Sequence, residues 1–199
     1  MINRAMKQGL TENYPFKNFR MKTPESKEKD FLNKEEREIL FDLLDNGKLP
    51  GYLHKTLHIF LLACYTGVRN GDWDQFVLKE VENDMLIIRQ SKKKGNIVRI
   101  PLTSTSKRLL DTLPPFYQTI SNPKYNLYLK EVMRFAGIQK HISTHCARHT
   151  FVIMCINEAK IPAEIVAKYI DDKLTTLQQH YARYLDSYKK EEIMKLEGL

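Results

Sequence analysis

The sequence predicts a mostly helical α+β domain with a small antiparallel β-sheet of about three strands. Apolar residues recur at helical spacing through most of the chain after Phe31, which predicts a series of amphipathic helices. Two segments rich in β-branched residues, 85–89 and 97–102, flank a short polar turn and predict a β-hairpin. A single hairpin among many helices is typical of an α+β fold.

The composition favours one large domain with a basic surface. The chain has 199 residues, 42% of them hydrophobic, and a formal net charge of +8. The charge favours a polyanionic partner, although an ordinary basic surface explains it equally well. The sequence has no long apolar run, so we expect no membrane partner and no signal peptide. The odd number and wide spacing of the cysteines predict reduced core thiols of a cytosolic protein: Cys64, Cys146 and Cys155.

The first helix follows a polar, lysine-rich segment, residues 1–30, which has no clear period and reads as an arm or linker. Asn33 is a good N-cap, and Glu36 three residues later completes a capping-box pattern. Helical spacing predicts a buried stripe made of Ile39, Leu40, Leu43 and Leu44.

A second, very apolar helix is predicted over residues 52–65 and ends at Thr66-Gly67. A short helix begins near residues 68–73, so Arg69 lies at a sharp turn directly after an apolar helix. This is an unusual place for a cation that needs only water. The third strand of the sheet is expected near residues 75–80.

Four further helices are predicted in the second half of the chain. They cover residues 104–113, residues 122–137, the segment after Ser143, and a segment that begins at Pro162. Thr175 and Gln178 form another capping-box pattern and predict the start of a helix that carries Tyr181. Residues 186–199 read as an amphipathic helical tail.

The helix after Ser143 carries the most informative chemistry. His145 and Arg148 are three residues apart, so their side chains leave the same face of the helix. An imidazole beside a guanidinium suits a bound phosphate. A tyrosine one or two short helices downstream is a candidate nucleophile for a phosphoryl transfer.

Four segments in order resemble the motifs of the tyrosine recombinase (phage integrase) family. TGVRNGDW (66–73) resembles its first-arginine box, and the hairpin ending in VRIPL (98–102) resembles its catalytic-lysine hairpin. STHCARHTF (143–151) and LTTLQQHYARYLD (174–186) resemble its HxxRH and nucleophile boxes. The resemblance covers about residues 32–190. The motifs are similar to those of integrases of bacterial mobile elements, particularly those of Bacteroides-type hosts.

The resemblance implies a recombinase-like catalytic core that cleaves and rejoins DNA without metal or cofactor. Arg69 and Arg148 would clamp the scissile phosphate, and Tyr181 would attack the phosphorus. His145 would be the hydrogen-bonding or basic partner, and Lys93 would protonate the leaving 5′ oxygen. The covalent 3′-phosphotyrosyl link would conserve the bond energy, so that strands rejoin without ATP.

Several positions need a choice or depart from the family. Lys92 and Lys94 are alternatives for the lysine, and Tyr184, one turn later, is the alternative nucleophile. Asp72 is expected to orient the cations of the site. Asp172 occupies a position where the family usually has histidine or tryptophan, so it either pairs with an arginine or slows the reaction.

Two other functions are weighed against recombination. The cluster of His141, His145, Cys146 and His149 admits a structural zinc site, but HCARH lacks the glutamate of a zinc protease. A non-catalytic DNA-binding module, or an inactive recombinase remnant, would also explain the charge.

The expected domain organisation is an arm or linker, 1–30, and a catalytic domain, 31–199. The N-terminal core-binding domain of whole recombinases is expected to be absent, which predicts a fragment that binds DNA weakly and recombines poorly alone. The expected partners are double-stranded DNA and other protomers in a DNA-bound tetramer, with the tail 187–199 packing on a neighbouring protomer. The expected location is the bacterial cytoplasm.

Overall fold

The computed structural model describes residues 2–11, 14, 30–47, 49–92, 95–114 and 120–178. The described elements, in chain order, are α1 (Ile2–Lys7), α2 (Lys34–Asp45), α3 (Gly51–Thr66), a 3₁₀ helix (Asn70–Leu78), β1 (Val81–Glu82), β2 (Met85–Arg89), β3 (Ile97–Pro101), α4 (Ser104–Asp111), α5 (Asn122–Phe135), α6 (Thr144–Ile153), a π turn (Met154–Glu158) and α7 (Ala163–Tyr169). Residues 174–178 are also helical. The mostly helical α+β fold with three strands is confirmed.

Helix α2 begins at the predicted capping box. The Glu36 N–H donates to Asn33 Oδ1 and the Asn33 N–H donates to Glu36 Oε2, each at 2.8 Å. Leu40 and Leu44 are buried as predicted, but Ile39 is 44% exposed, so that part of the stripe was wrong. The face of α2 that packs on the core is narrower than the predicted stripe, and Ile39 lies outside it.

The segment before α2 is bonded to the second half of the chain. The Leu32 N–H donates to Thr150 Oγ1 at 3.0 Å, and the His141 N–H donates to Asp30 Oδ2 at 3.1 Å. Lys140 Nζ donates to the Phe31 carbonyl at 3.1 Å. The chain therefore enters the domain beside α6 and the loop that precedes it.

Helix α3 is the centre of the domain. It packs against α2, α4, α5, α6 and the 3₁₀ helix, and residues 59–64 are all buried. Gly67 ends the helix at the predicted break, with φ of +68° and its N–H bonded to the Ala63 carbonyl at 2.9 Å. The left-handed conformation there reverses the chain toward Arg69.

The sheet has the order β1-β2-β3, and both pairs are antiparallel. The predicted hairpin is confirmed, with register from Met85↔Pro101 to Arg89↔Ile97. The third strand is β1, so the strand predicted over 75–80 was wrong. Gln75 lies in the 3₁₀ helix, and its side-chain amide bonds the N–H and C=O of Arg89 at 2.8 and 2.7 Å. This side chain supplies hydrogen bonds that a strand neighbour would otherwise make.

Helix α6 connects two apolar clusters. Its first half, with Cys146 and Ala147, belongs to the larger cluster around α3. Its second half, with Val152 and Ile153, belongs to a smaller cluster with α7. The π turn Met154–Glu158 continues the helix. None of the helices in the described part of the chain has the length and apolar character needed to cross a bilayer.

Some predicted helix ends differ from the structure. The N-cap of α5 is Ser121, so Asn122 is already helical, and α4 ends at Asp111. The capping box predicted at Thr175 was wrong, because the helix of residues 174–178 has begun before it. The Lys173 carbonyl accepts the Leu177 N–H at 3.2 Å, which makes Lys173 the capping position.

Candidate active site

A cleft of about 750 Å³ lies where the turn after α3, the β2–β3 loop, α6 and the segment after α7 meet. Its lining includes four cations, two histidines and one carboxylate: Arg69, Lys92, Arg148, Lys173, His145, His149 and Asp172. The fold therefore brings three predicted site residues, Arg69, His145 and Arg148, into one cleft. The excess of cations favours an anionic ligand.

Arg148 is 7% exposed and is held mainly by the main chain. Its Nη1 donates to the Gly67 carbonyl at 2.9 Å, and its Nη2 donates to the Ile170 carbonyl at 2.6 Å. Nη2 also lies 3.2 Å from Asp172 Oδ2, so the Asp172 carboxylate pairs with an arginine, one of the two outcomes considered for it. Carbonyls satisfy the N–H donors and leave the guanidinium with its charge.

Arg69 is held by the same turn as Arg148. Its Nη2 donates to the Asp171 carbonyl at 2.9 Å, and Asp171 has a left-handed φ of +47°. Two successive carbonyls, of Ile170 and Asp171, therefore each bind one arginine. Within the described residues, Arg69 Nη1 is buried without a hydrogen-bond partner. A buried N–H without an acceptor is costly, so an anion in the cleft would stabilise it.

His145 is placed by the anchored start of α6. The Thr144 N–H donates to Asn126 Oδ1 at 2.9 Å, and Thr144 Oγ1 donates to Asn122 Oδ1 at 2.7 Å. The His145 ring is exposed and lies edge-on to the His149 ring, with centroids 4.5 Å apart. These bonds to α5 fix the first turn of α6. The backbone position from which the His145 side chain reaches the cleft is therefore fixed.

Asp72 joins the Arg69 turn to the lysine loop. Its carboxylate is buried and accepts the Ser91 N–H at 2.8 Å, while its own N–H donates to the Arg69 carbonyl at 2.8 Å. Among the described residues, the Asp72 carboxylate thus binds main chain at the base of the loop. Lys92 lines the cleft, whereas Lys93 and Lys94 lie outside the described residues.

The two candidate nucleophiles, Tyr181 and Tyr184, also lie outside the described residues. The helix of residues 174–178 precedes them in the chain, and Thr176 and Leu177 of that helix line the cleft. Lys173 was not singled out in the sequence. Its position directly after Asp172, at the start of the nucleophile-box segment, is the signal that could have identified it.

In the described part of the chain, neither the cysteines nor the cluster considered as a structural zinc site forms a metal site. All three cysteines are free and buried. Burial raises the pKa of the Cys64 thiol and raises that of Cys155 to about 12, so neither is a thiolate at neutral pH. Cys146 Sγ accepts the Ser143 N–H at 3.2 Å. Across the described residues, no three His, Cys, Asp or Glu side chains form a group that could hold a metal ion.

Comparison with known proteins finds similarity in structure. No protein-family model and no curated protein matches the sequence. The fold is similar to the XerH site-specific recombinase in a post-cleavage complex with palindromic difH substrate, with a TM-score of 0.65 and 16% identity over 87% of this chain and 54% of that one. It is similar to a lambda integrase dimer bound to a COC′ core site, with a TM-score of 0.67 and 17% identity over 90% of this chain and 68% of that one.

The catalytic domain of bacteriophage HP1 integrase is a further similar structure, with a TM-score of 0.56 and 19% identity over 82% of this chain and 95% of that domain. The chain spans about half the length of the XerH chains that it matches. The structural neighbours are thus tyrosine recombinases and integrases, and the fold of this chain is that of their catalytic domains.

Proposed function

We propose that this chain is the catalytic domain of a site-specific tyrosine recombinase or integrase that cleaves and rejoins double-stranded DNA. The observation that carries the proposal is the pair of arginines in one cleft. Arg69 and Arg148 are each held by main-chain carbonyls of one turn, and Arg69 has a buried N–H without an acceptor. A phosphodiester would supply the negative charge and the acceptor oxygens that these arginines need.

In the proposed reaction, Tyr181 attacks the scissile phosphorus in line with the leaving oxygen. A bond forms between the tyrosine oxygen and phosphorus while the bond from phosphorus to the 5′ oxygen breaks. The product is a 3′-phosphotyrosyl link and a free 5′ hydroxyl. Arg69 and Arg148 stabilise the negative charge that the equatorial oxygens carry in the transition state. Attack of a 5′ hydroxyl on the link reverses the step and rejoins the strands.

Two protons move in this step. The phenol of Tyr181 has an unperturbed pKa near 10, so its proton passes to a base, and His145 is the group proposed to accept it. The leaving 5′ oxygen receives a proton from a lysine of the β2–β3 loop. Lys93 is proposed for this role, with Lys92 and Lys94 as alternatives. Asp72 supports the step by holding the base of that loop through Ser91.

Asp172 and Lys173 adjust the charge of the proposed site. The Asp172 carboxylate occupies one side of Arg148, so a phosphate must displace it or bind beside it. Lys173 follows directly and adds a cation to the same cleft. Asp172 is therefore expected to weaken phosphate binding, and Lys173 to offset part of that effect.

The proposed assembly follows the DNA-bound neighbours. XerH and lambda integrase were solved on DNA, the latter as a dimer. We expect this domain, residues 31–199 with the arm 1–30, to act in a DNA-bound tetramer and to serve a bacterial mobile element. The tail 187–199 is expected to pack on a neighbouring protomer.

The test is covalent trapping on nicked suicide duplexes. A pooled library of such duplexes is incubated with the protein in EDTA, and a denaturing gel reveals any protein–DNA adduct. The proposal expects an adduct that survives EDTA and disappears in Tyr181→Phe. Tyr52→Phe, which changes an exposed tyrosine outside the cleft, is the matched control and should leave the adduct unchanged.

Other outcomes separate the alternatives. Loss of the adduct only in Tyr184→Phe would keep the reaction and move the nucleophile by one turn. DNA binding without an adduct, also when a recombinase core-binding domain is fused before residue 1, would favour the non-catalytic DNA-binding module or the inactive remnant.

A further inference from the structure

A second groove lies between α5 and the loop that leads into α6. Its volume is about 630 Å³. We call it the α5 groove and define it by polar and basic side chains on its two walls: Asn126, Lys130, Arg134, Gln139 and His141. Asn126 anchors the start of α6, and the mechanism proposed above uses none of the other four residues.

The α5 groove is cationic and has no carboxylate among its described lining residues. Lys130 and Arg134 are exposed and lie one turn apart on α5, so their charges point along the same face. In the described part of the chain neither forms an ion pair. Lys140 also lines the groove, but Glu36 neutralises it at 2.7 Å. Lys130 and Arg134 therefore supply the free charge.

The α5 groove lies next to the cleft. Asn126 lines the groove and accepts the N–H of Thr144, and Thr144 lines the cleft. One hydrogen bond thus separates the two sites. From Asn126 to Arg134 the groove follows α5 for about 12 Å. Because each DNA strand carries one phosphate per roughly 3.4 Å of helix axis, that length matches about three or four phosphates.

We propose that the α5 groove binds the sugar–phosphate backbone of the duplex whose scissile phosphate lies in the cleft. The proposal rests on the function proposed for that cleft. Lysine, arginine and side-chain amides are the groups that contact DNA phosphates and fix the position of a protein on the duplex. The chain's own arm, residues 1–30, has a net positive charge and is therefore a poor ligand for the groove. The rival ligand is an acidic protein segment.

The test is the salt dependence of DNA binding. Dissociation constants for a duplex are measured from low to high salt for the wild type and for the double variant Lys130→Ala/Arg134→Ala. Each phosphate contact contributes about 0.9 to the slope of log K against log salt, so the double variant should lower the slope by roughly 1.8. Lys34→Ala/Lys55→Ala removes two exposed lysines outside both sites and should keep the wild-type slope.

Duplex length supplies a second readout. The wild type is measured on two duplexes, each truncated on one side of the cleavage site that trapping identifies. On the duplex truncated on the groove side, the wild type should show the same lowered slope as the double variant shows on the full duplex. On the other truncated duplex, the wild type should keep its higher slope. Equal melting temperatures of wild type and double variant would confirm that the fold is intact, because both side chains are exposed.

The possible results separate the groove from the cleft. An unchanged slope in Lys130→Ala/Arg134→Ala would overturn the inference, whether or not the wild type forms its covalent adduct. If polyglutamate bound the wild type but not the double variant, while the DNA slope stayed the same, the groove would be a site for acidic protein. If the double variant had the lower slope but the wild type formed no adduct, the result would support DNA binding in the α5 groove. It would count only against the proposed recombinase reaction.

Discussion

Arg37 and Arg148 are both buried, at 4% and 7% exposure, yet their surroundings differ. Arg37 pairs with the Glu158 carboxylate at 2.6 Å and donates to the Leu32 carbonyl. Arg148 relies on two carbonyls, and its carboxylate neighbour Asp172 lies farther away, at 3.2 Å. A short carboxylate contact neutralises a guanidinium, whereas carbonyls orient it and leave its charge. The first arrangement ties α2 to the π turn; the second leaves a charged guanidinium in the lining of the cleft.

The largest effect is expected where that charge must be oriented. Arg148→Lys keeps the charge but loses the planar fork that two carbonyls hold, so adduct formation should slow by about 10²- to 10³-fold. Single-turnover rates on the suicide duplex measure this. Arg108→Lys, at an exposed ion pair, is the control and should match the wild type. A rate within threefold of wild type for Arg148→Lys would remove the proposed role.

Gly67→Ala tests the carbonyl that holds Arg148. The φ of Gly67 is +68°, and an added Cβ would lie 2.5 Å from Phe151 Cδ1 and 3.0 Å from Ile170 Cγ2. Left-handed strain and overpacking together should cost about 2–4 kcal/mol of the free energy of unfolding. Gly137→Ala has a similar φ of +70° with nothing within 4 Å, so it should cost only about 1 kcal/mol. Urea denaturation measures both, and equal losses would show that the close contact is tolerated.

Arg37→Ala is expected to lower stability without a role in the chemistry. Removing the guanidinium leaves Glu158 and the Leu32 carbonyl without their donor. Since Glu158 is 41% exposed, the loss should be roughly 1.5–3 kcal/mol, the value of a hydrogen bond to a charged group. Arg108→Ala, which breaks an exposed pair, should cost at most about 1 kcal/mol. If Arg37→Ala slowed cleavage by folded protein as strongly as Arg148→Lys, the contrast between the two arginines would fail.

Asp172→Asn should make Arg148 more available. A partly exposed ion pair contributes up to about 1 kcal/mol, so adduct formation should rise by about two- to fivefold at subsaturating DNA. Asp111→Asn removes the same charge from an exposed position outside both sites and is the control. A slower Asp172→Asn variant would mean that the carboxylate positions Arg148 and does not compete with the phosphate.

The sequence predicted those parts of the fold that side chains specify locally. The Asn33 capping box, the apolar α3 and the β2–β3 hairpin are confirmed because caps, periodicity and turns each have their own residue signal. The strand expected over 75–80 was wrong because Gln75 supplies hydrogen bonds like those of a strand from within a 3₁₀ helix. A long-range side-chain contact of this kind has no local pattern.

The candidate site was predictable in its charged residues and not in what holds them. Arg69, His145 and Arg148 stand in recognisable motifs, and the structure places them in one cleft. Their partners include carbonyls of residues 67, 170 and 171, and every residue has a carbonyl, so sequence gives no signal for them. Asp72 was noticed, but its main-chain partner Ser91 could not be inferred without the fold.

The hydrogen bond between Leu32 and Thr150 has a mechanical consequence. Thr150 and Arg148 belong to the same helix, two residues apart. A force pulling on the chain before Asp30 would reach α6 through this bond, and through Asp30 and Lys140 at the loop that precedes the helix. The domain is thus tethered at α6, and a load on the tether bears first on the helix that carries His145 and Arg148.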